Sequence, residues 1–254
     1  MTEARFKLDN PPIVEAVLDI ECDLPANFKP KNIELVARKK WARSYPKFRP
    51  QYLQEHRFEM TQPDGMPEVS IKTGIVQALQ FLKNDEKQLV QIRAQGFTFN
   101  RLAPYTSLDD YLPQIKSAWN TYIELAKPIQ IRVLRLRYIN RFSLPFENQR
   151  IELDDYLKNA PRPADDKRMI LLAFVNQYSA IDTSTGHQLI SVLTTQPPMD
   201  DELPLIFDNT VVVQEDIETD NWPYIRDKIQ EMRELKNLVF RNTLKEKCLN
   251  RFQQ

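Results

Sequence analysis

Residues Ile129 to Pro145 read IQIRVLRLRYINRFSLP, a run of β-branched, aromatic and arginine residues near the middle of the chain. The period of two that a strand imposes puts Leu134, Leu136, Tyr138, Asn140 and Phe142 on one face. The other face carries Ile131, Val133, Arg135, Arg137 and Arg141. A half-buried strand normally alternates apolar with interchangeable polar residues. Three guanidinium groups on one face therefore ask for a fixed anionic counterpart, because a planar guanidinium pairs a carboxylate or phosphate in a defined geometry.

Toward the N-terminus, Pro11 and Pro12 open a strand over Ile13 to Leu24, with Val14, Ala16, Leu18, Ile20 and Cys22 alternating with Glu15, Val17, Asp19 and Glu21. The stripe Ile33, Val36, Ala37 and Trp41 predicts a helix from Asn32 to Tyr45, ended by Pro46 and Pro50. Strands follow over Tyr52 to Met60 and Val69 to Leu82, joined by the turn Gln62-Pro63-Asp64-Gly65. In a third strand, Gln88 to Leu102, the apolar parity changes after Gly96, which reads as a bulge. A helix over Asp110 to Leu125 closes this half.

Toward the C-terminus the same order recurs. The arginine strand ends in Leu144-Pro145 as the first strand ends in Leu24-Pro25, and a short helix covers Leu153 to Lys158. Strands are predicted at Met169 to Tyr178, His187 to Thr195 and Leu205 to Gln214. A long helix from Pro223 to Phe252 carries the stripe Ile225, Ile229, Met232, Leu235 and Val239. The expected fold is α+β: two tandem β-α-β-β-β-α units related by a pseudo-twofold, each an antiparallel sheet with helices on one face. Residues 1–127 form the first unit and 128–254 the second.

Composition narrows the function. Lys plus Arg and Asp plus Glu number 35 each in 254 residues, so no global field recruits nucleic acid or an anionic membrane. Two histidines are too few for a His/Cys metal site. Four scattered glycines build neither a phosphate loop nor a dinucleotide fingerprint. Cys22 and Cys248 read as reduced core thiols, and with no charged-then-apolar leader the expectation is a cytoplasmic protein without a membrane span. No cofactor and no catalytic residue is expected.

The string RYINR, with Arg137, Tyr138, Asn140 and Arg141, resembles the R-Y-x-N-R strand that marks a sporadically distributed bacterial family of uncharacterised proteins of similar length. The opening PPIVEAVLDI, the run from Phe97 to Tyr105, and Asn237, Phe240 and Thr243 of the closing helix resemble it too. The resemblance implies no reaction, cofactor or catalytic residue. The family's patchy distribution implies a mobile or defence-linked gene context.

One structural reading stands beside three readings of function. If the first strands of the two halves lie together, the acidic face Glu15, Asp19 and Glu21 meets Arg135, Arg137 and Arg141 as a structural seam. Alternatively Arg135, Arg137, Tyr138, Asn140, Arg141 and Glu15 form a non-enzymatic site, at the interface between the halves, for a partner protein or an anionic ligand. The second reading is nucleic-acid binding by the segment 29–57, through Arg38, Lys39, Lys40, Arg43, Lys47 and Arg49 with Trp41, Tyr45, Phe48 and Tyr52 interleaved. The third is a metal-dependent hydrolase built on Asp154-Asp155, Asp165-Asp166 or Asp200-Asp201, which the turn preference of Asp opposes. Eight acidic residues between Asp200 and Asp220, without Lys or Arg, suit a basic partner or a second copy in a homo-oligomer.

Overall fold

The computed structural model describes residues 8–59, 68–146, 151–165 and 168–253, with backbone alone at 53–59 and 68–75. The turn expected at Gln62 to Gly65 lies outside the described residues. In chain order the elements begin with β1 (Ile13–Asp23), α1 (Pro30–Trp41), β2 (Lys47–Glu59), β3 (Glu68–Leu82), β4 (Gln88–Arg93), β5 (Gly96–Leu102) and α2 (Leu108–Ala126). They continue with β6 (Gln130–Pro145), α3 (Leu153–Tyr156), β7 (Val175–Ile181), β8 (Gln188–Thr195), β9 (Glu202–Ile217), α4 (Trp222–Thr243) and α5 (Glu246–Leu249).

The nine strands of the described residues join one antiparallel sheet in the order β2-β3-β4-β5-β1-β6-β9-β8-β7. The two tandem β-α-β-β-β-α units expected from the sequence do not form. β1 and β6 are hydrogen-bonded neighbours in the interior of the sheet, from Ile13↔Asn140 to Asp23↔Gln130, so no unit keeps a sheet of its own. Among the described residues strand outweighs helix, and α3 is a single turn of four residues. The reason is physical: alternation fixes which face a strand buries, whereas the choice of neighbour depends on residues far away in the chain.

Two local readings are also corrected. Gln88 to Leu102 is a hairpin, β4 and β5, in which Arg93 pairs with Gly96 across a two-residue turn. The apolar parity changes there because the chain reverses. Gly96 has φ of 151°, and a Cβ at this position would overlap the carbonyl oxygen of Ile20 on β1. The closing helix stops at Thr243, where Leu244 turns extended before α5.

The core lies on one side of the sheet. Leu18 and Ile20 of β1, Phe97 and Phe99 of β5, and Leu134 and Leu136 of β6 pack under Trp119 and Tyr122 of α2 and Ile225, Ile229 and Met232 of α4. Each such side chain contributes roughly 1.5–3 kcal/mol on burial. A register shift between Ile131 and Val133 turns Ile131 into this core and Arg132 outward, against the plain alternation. A second cluster, around Phe142, Leu205, Phe207, Phe240 and Phe252, fills the far end.

Candidate functional site

The opposite face of the sheet carries a groove of about 530 Å³ spanning β4, β5, β1, β6, β9 and β8. Its charged lining is Glu15, Asp19 and Asp208 with Arg93, Arg135 and Arg137. Side chains at directly opposed positions share a face, so the row Gln91–Thr98–Asp19–Arg135 and the row Asn100–Val17–Arg137–Thr210 both open here.

The arginine ladder finds carboxylates within the chain. Arg135 donates from Nη1 to Asp19 at 3.1 Å and to Glu21 at 2.7 Å. Asp19 also takes Arg93 and lies 3.4 Å from the Thr98 hydroxyl, so one carboxylate on β1 ties three strands together. Arg137 pairs with Asp208 of β9, not with β1 as the seam reading expects. Glu15 accepts instead from Asn100 Nδ2 at 2.8 Å. Asn100 in turn accepts from Gln91, and Gln91 from Gln80, in a line of amides leading to the groove. Burial works against the charge on Arg135, but Glu21 and Asp19 outweigh it, and its proton is held more tightly than in an ordinary guanidinium. The Asp208 hydrogen bonds do the same for Arg137. Arg141 is exposed, and its guanidinium has no partner among the described residues.

The sheet separates the expected constellation. Tyr138 and Asn140 lie on the helix-covered side, where Tyr138 hydrogen-bonds Tyr105 hydroxyl to hydroxyl at 3.0 Å and Asn140 donates to the Phe207 carbonyl at 2.9 Å. They share no site with Arg135, Arg137, Arg141 and Glu15. The period of two already required this, because residues one apart point to opposite faces.

A buried polar layer on that covered side escaped the sequence reading. Tyr138, Asn209 and Ser191 are cross-strand neighbours, all buried. Lys236 of α4 lies above them, its Nζ 4.0 Å from the centre of the Tyr138 ring. Among the described residues both amide atoms of Asn209 lack a hydrogen-bond partner. Burial, with some repulsion from Arg233, pushes the Lys236 amine down to about 7. The buried stripe of α4 is Ile225, Ile229, Met232, Lys236 and Phe240, while Leu235 and Val239 pack beside it. The spacing i, i+4, i+7, i+11 runs through Lys236, and its charge hid it.

The basic segment is largely neutralised. Arg38 bonds Glu34 and covers the Phe48 ring at 4.6 Å. Lys40 meets Glu124, and Lys47 and Arg49 share Glu86 at 2.8 and 2.5 Å. Lys39 and Arg43 remain exposed. Trp41 and Tyr45 are buried, with Tyr45 accepting from Gln88, so neither offers a ring for base stacking.

The acidic pairs are dispersed. Asp154 bonds Arg162 and Asp155 bonds Lys247. Asp200 and Asp201 take positive φ in a turn, and Asp166 lies outside the described residues. Among the described residues no three His, Cys, Asp or Glu side chains stand together as a metal site. The acidic stretch Asp200 to Asp220 is interlaced with cations: Glu202 with Arg251, Asp208 with Arg137, and Asp216 with Arg132. Among the described residues no helix is long and apolar enough to cross a membrane.

Compared with known proteins, the chain matches no family model and no curated protein sequence. The R-Y-x-N-R resemblance therefore rests on the residues that carry it.

Proposed function

We propose that the protein is a non-enzymatic binding module, cytoplasmic in location, that takes a partner protein on the groove face of the sheet astride β1 and β6. The observation that carries this is charge balance: the groove sets three arginines against three carboxylates. A small anion would have to displace Asp208 from Arg137 and meet the remaining carboxylates. A protein surface bearing both signs can pair with the groove reciprocally, which gives specificity more than raw affinity. Arg137, with its side chain 48% exposed, is the most exposed of the three groove guanidinium groups. Two buried, unpaired thiols fit a reducing compartment.

The test is native mass spectrometry of the protein purified from its own host. A retained second polypeptide supports the reading if Arg137→Glu loses it and the triple change Lys39→Glu, Lys40→Glu and Arg43→Glu keeps it. Retained nucleic acid, lost in the triple variant, would replace this reading with the basic-segment one. A retained small anion would point to a ligand site.

A further inference from the structure

The two edges of the sheet are built differently. On β2, Lys47, Arg49 and Pro50 stand along the strand, and charge and proline are devices that stop an edge from pairing with another chain. The edge strand β7, VNQYSAI, has no charge, no proline and no bulge. Every residue of it is exposed, including Val175 at 70%, Tyr178 at 44% and Ile181 at 69%. Met169, Ile170 and Leu172, which lead into it, are exposed as well.

The hydrogen-bond phase of β7 is set by its ends. Thr195 N–H donates to the Phe174 carbonyl and Asp182 N–H to the His187 carbonyl, so the even-numbered residues bond to β8. By the alternation of an antiparallel ladder, Val175, Gln177, Ser179 and Ile181 turn their N–H and C=O groups outward. These are the groups a further strand would bond.

We propose that β7 is a homodimer interface, pairing antiparallel with β7 of a second copy about a twofold axis at Tyr178. The sequence is self-complementary about that point: Val175 faces Ile181, Asn176 faces Ala180, Gln177 faces Ser179, and Tyr178 faces itself. With no charge on the strand, no like-charge pair is created when it meets its own copy. The outward-bonding residues fall opposite one another, 175 with 181 and 177 with 179, so both strands satisfy their free backbone groups at once. Opposed residues share a face, so the groove faces of the two copies point the same way along one continuous sheet.

Sedimentation of the full chain should give a two-copy assembly. Gln177→Pro should give one copy that still unfolds cooperatively, because the lost N–H faces away from β8. The double change Val175→Lys and Ile181→Lys should act likewise by placing like charges across the pair. Tyr178→Cys should form an intermolecular disulfide with oxidised glutathione, since opposed Cα atoms without mutual hydrogen bonds stand about 4.5 Å apart. Ser179→Cys, facing Gln177, should not, and the native thiols are buried. A wild type that stays single at every concentration overturns the proposal, as does a dimer that survives both the proline and the lysine variants. A single copy that captures only a foreign extended peptide overturns it too.

Discussion

Arg137 on β6 and Asp208 on β9 hold each other in a bidentate pair, Arg137 donating to the one carboxylate through Nε at 2.9 Å and Nη2 at 2.5 Å. Thr210, not Asp208, is the register partner of Arg137, so the ion pair runs diagonally across the two strands. It holds the guanidinium in one geometry while leaving the side chain half exposed.

Exposure limits what this pair adds to stability. Asp208→Asn is expected to cost less than about 1 kcal/mol, because solvent screens a pair whose cation is half in water. The same change frees a guanidinium in the groove and should strengthen binding of inorganic phosphate. Urea denaturation and a titration followed at the Arg137 Nε resonance check the two outcomes.

Asp19 carries more. Its side chain is only 16% exposed and it neutralises both Arg93 and Arg135. Asp19→Ala takes the carboxylate from Arg93 of β4 and leaves Arg135 of β6 with Glu21 alone, and should cost roughly 2–3 kcal/mol, more than Asp208→Asn. The difference should appear as a lower urea midpoint with an unchanged slope.

Lys236 makes stability depend on pH. Its folded pKa, about 7, lies below the ordinary lysine value of 10.5 because the amine is buried. Between those values the unfolded chain binds a proton that the folded chain lacks, so stability rises with pH through that window. Below pH 7 both states are charged and the whole burial penalty is present. Lys236→Met should therefore stabilise by about 2–4 kcal/mol in mild acid, after loss of the contact with Tyr138, and by progressively less toward the ordinary lysine range. Thermal unfolding across that range, in wild type and variant, reads the difference in slope.

Gly96 is fixed by its backbone and by β1. Gly96→Ala places a methyl on the Ile20 carbonyl at a positive φ, which should cost several kcal/mol, roughly 2–5, by prying the β4–β5 hairpin from β1. A large drop in thermal midpoint checks it. Gly186, with open space around its Cβ position, serves as the milder control.

The sequence by itself determined what is local. Alternation along Ile13–Asp23 and Gln130–Pro145 named the buried residues Leu18, Ile20, Leu134, Leu136 and Tyr138, because successive strand side chains must point to opposite faces. It also set Arg135, Arg137 and Arg141 on the other face. What only the tertiary structure decided is which distant residues these meet. One sheet in place of two follows from the pairing of β1 with β6, and Asp208, not β1, receives Arg137 from 71 residues away. The same holds for Lys236, a lysine by type that the packing of α4 over Tyr138 places in the core. Periodicity is a property of neighbouring residues, while strand order, ion-pair choice and burial of a charge are properties of contacts between remote ones.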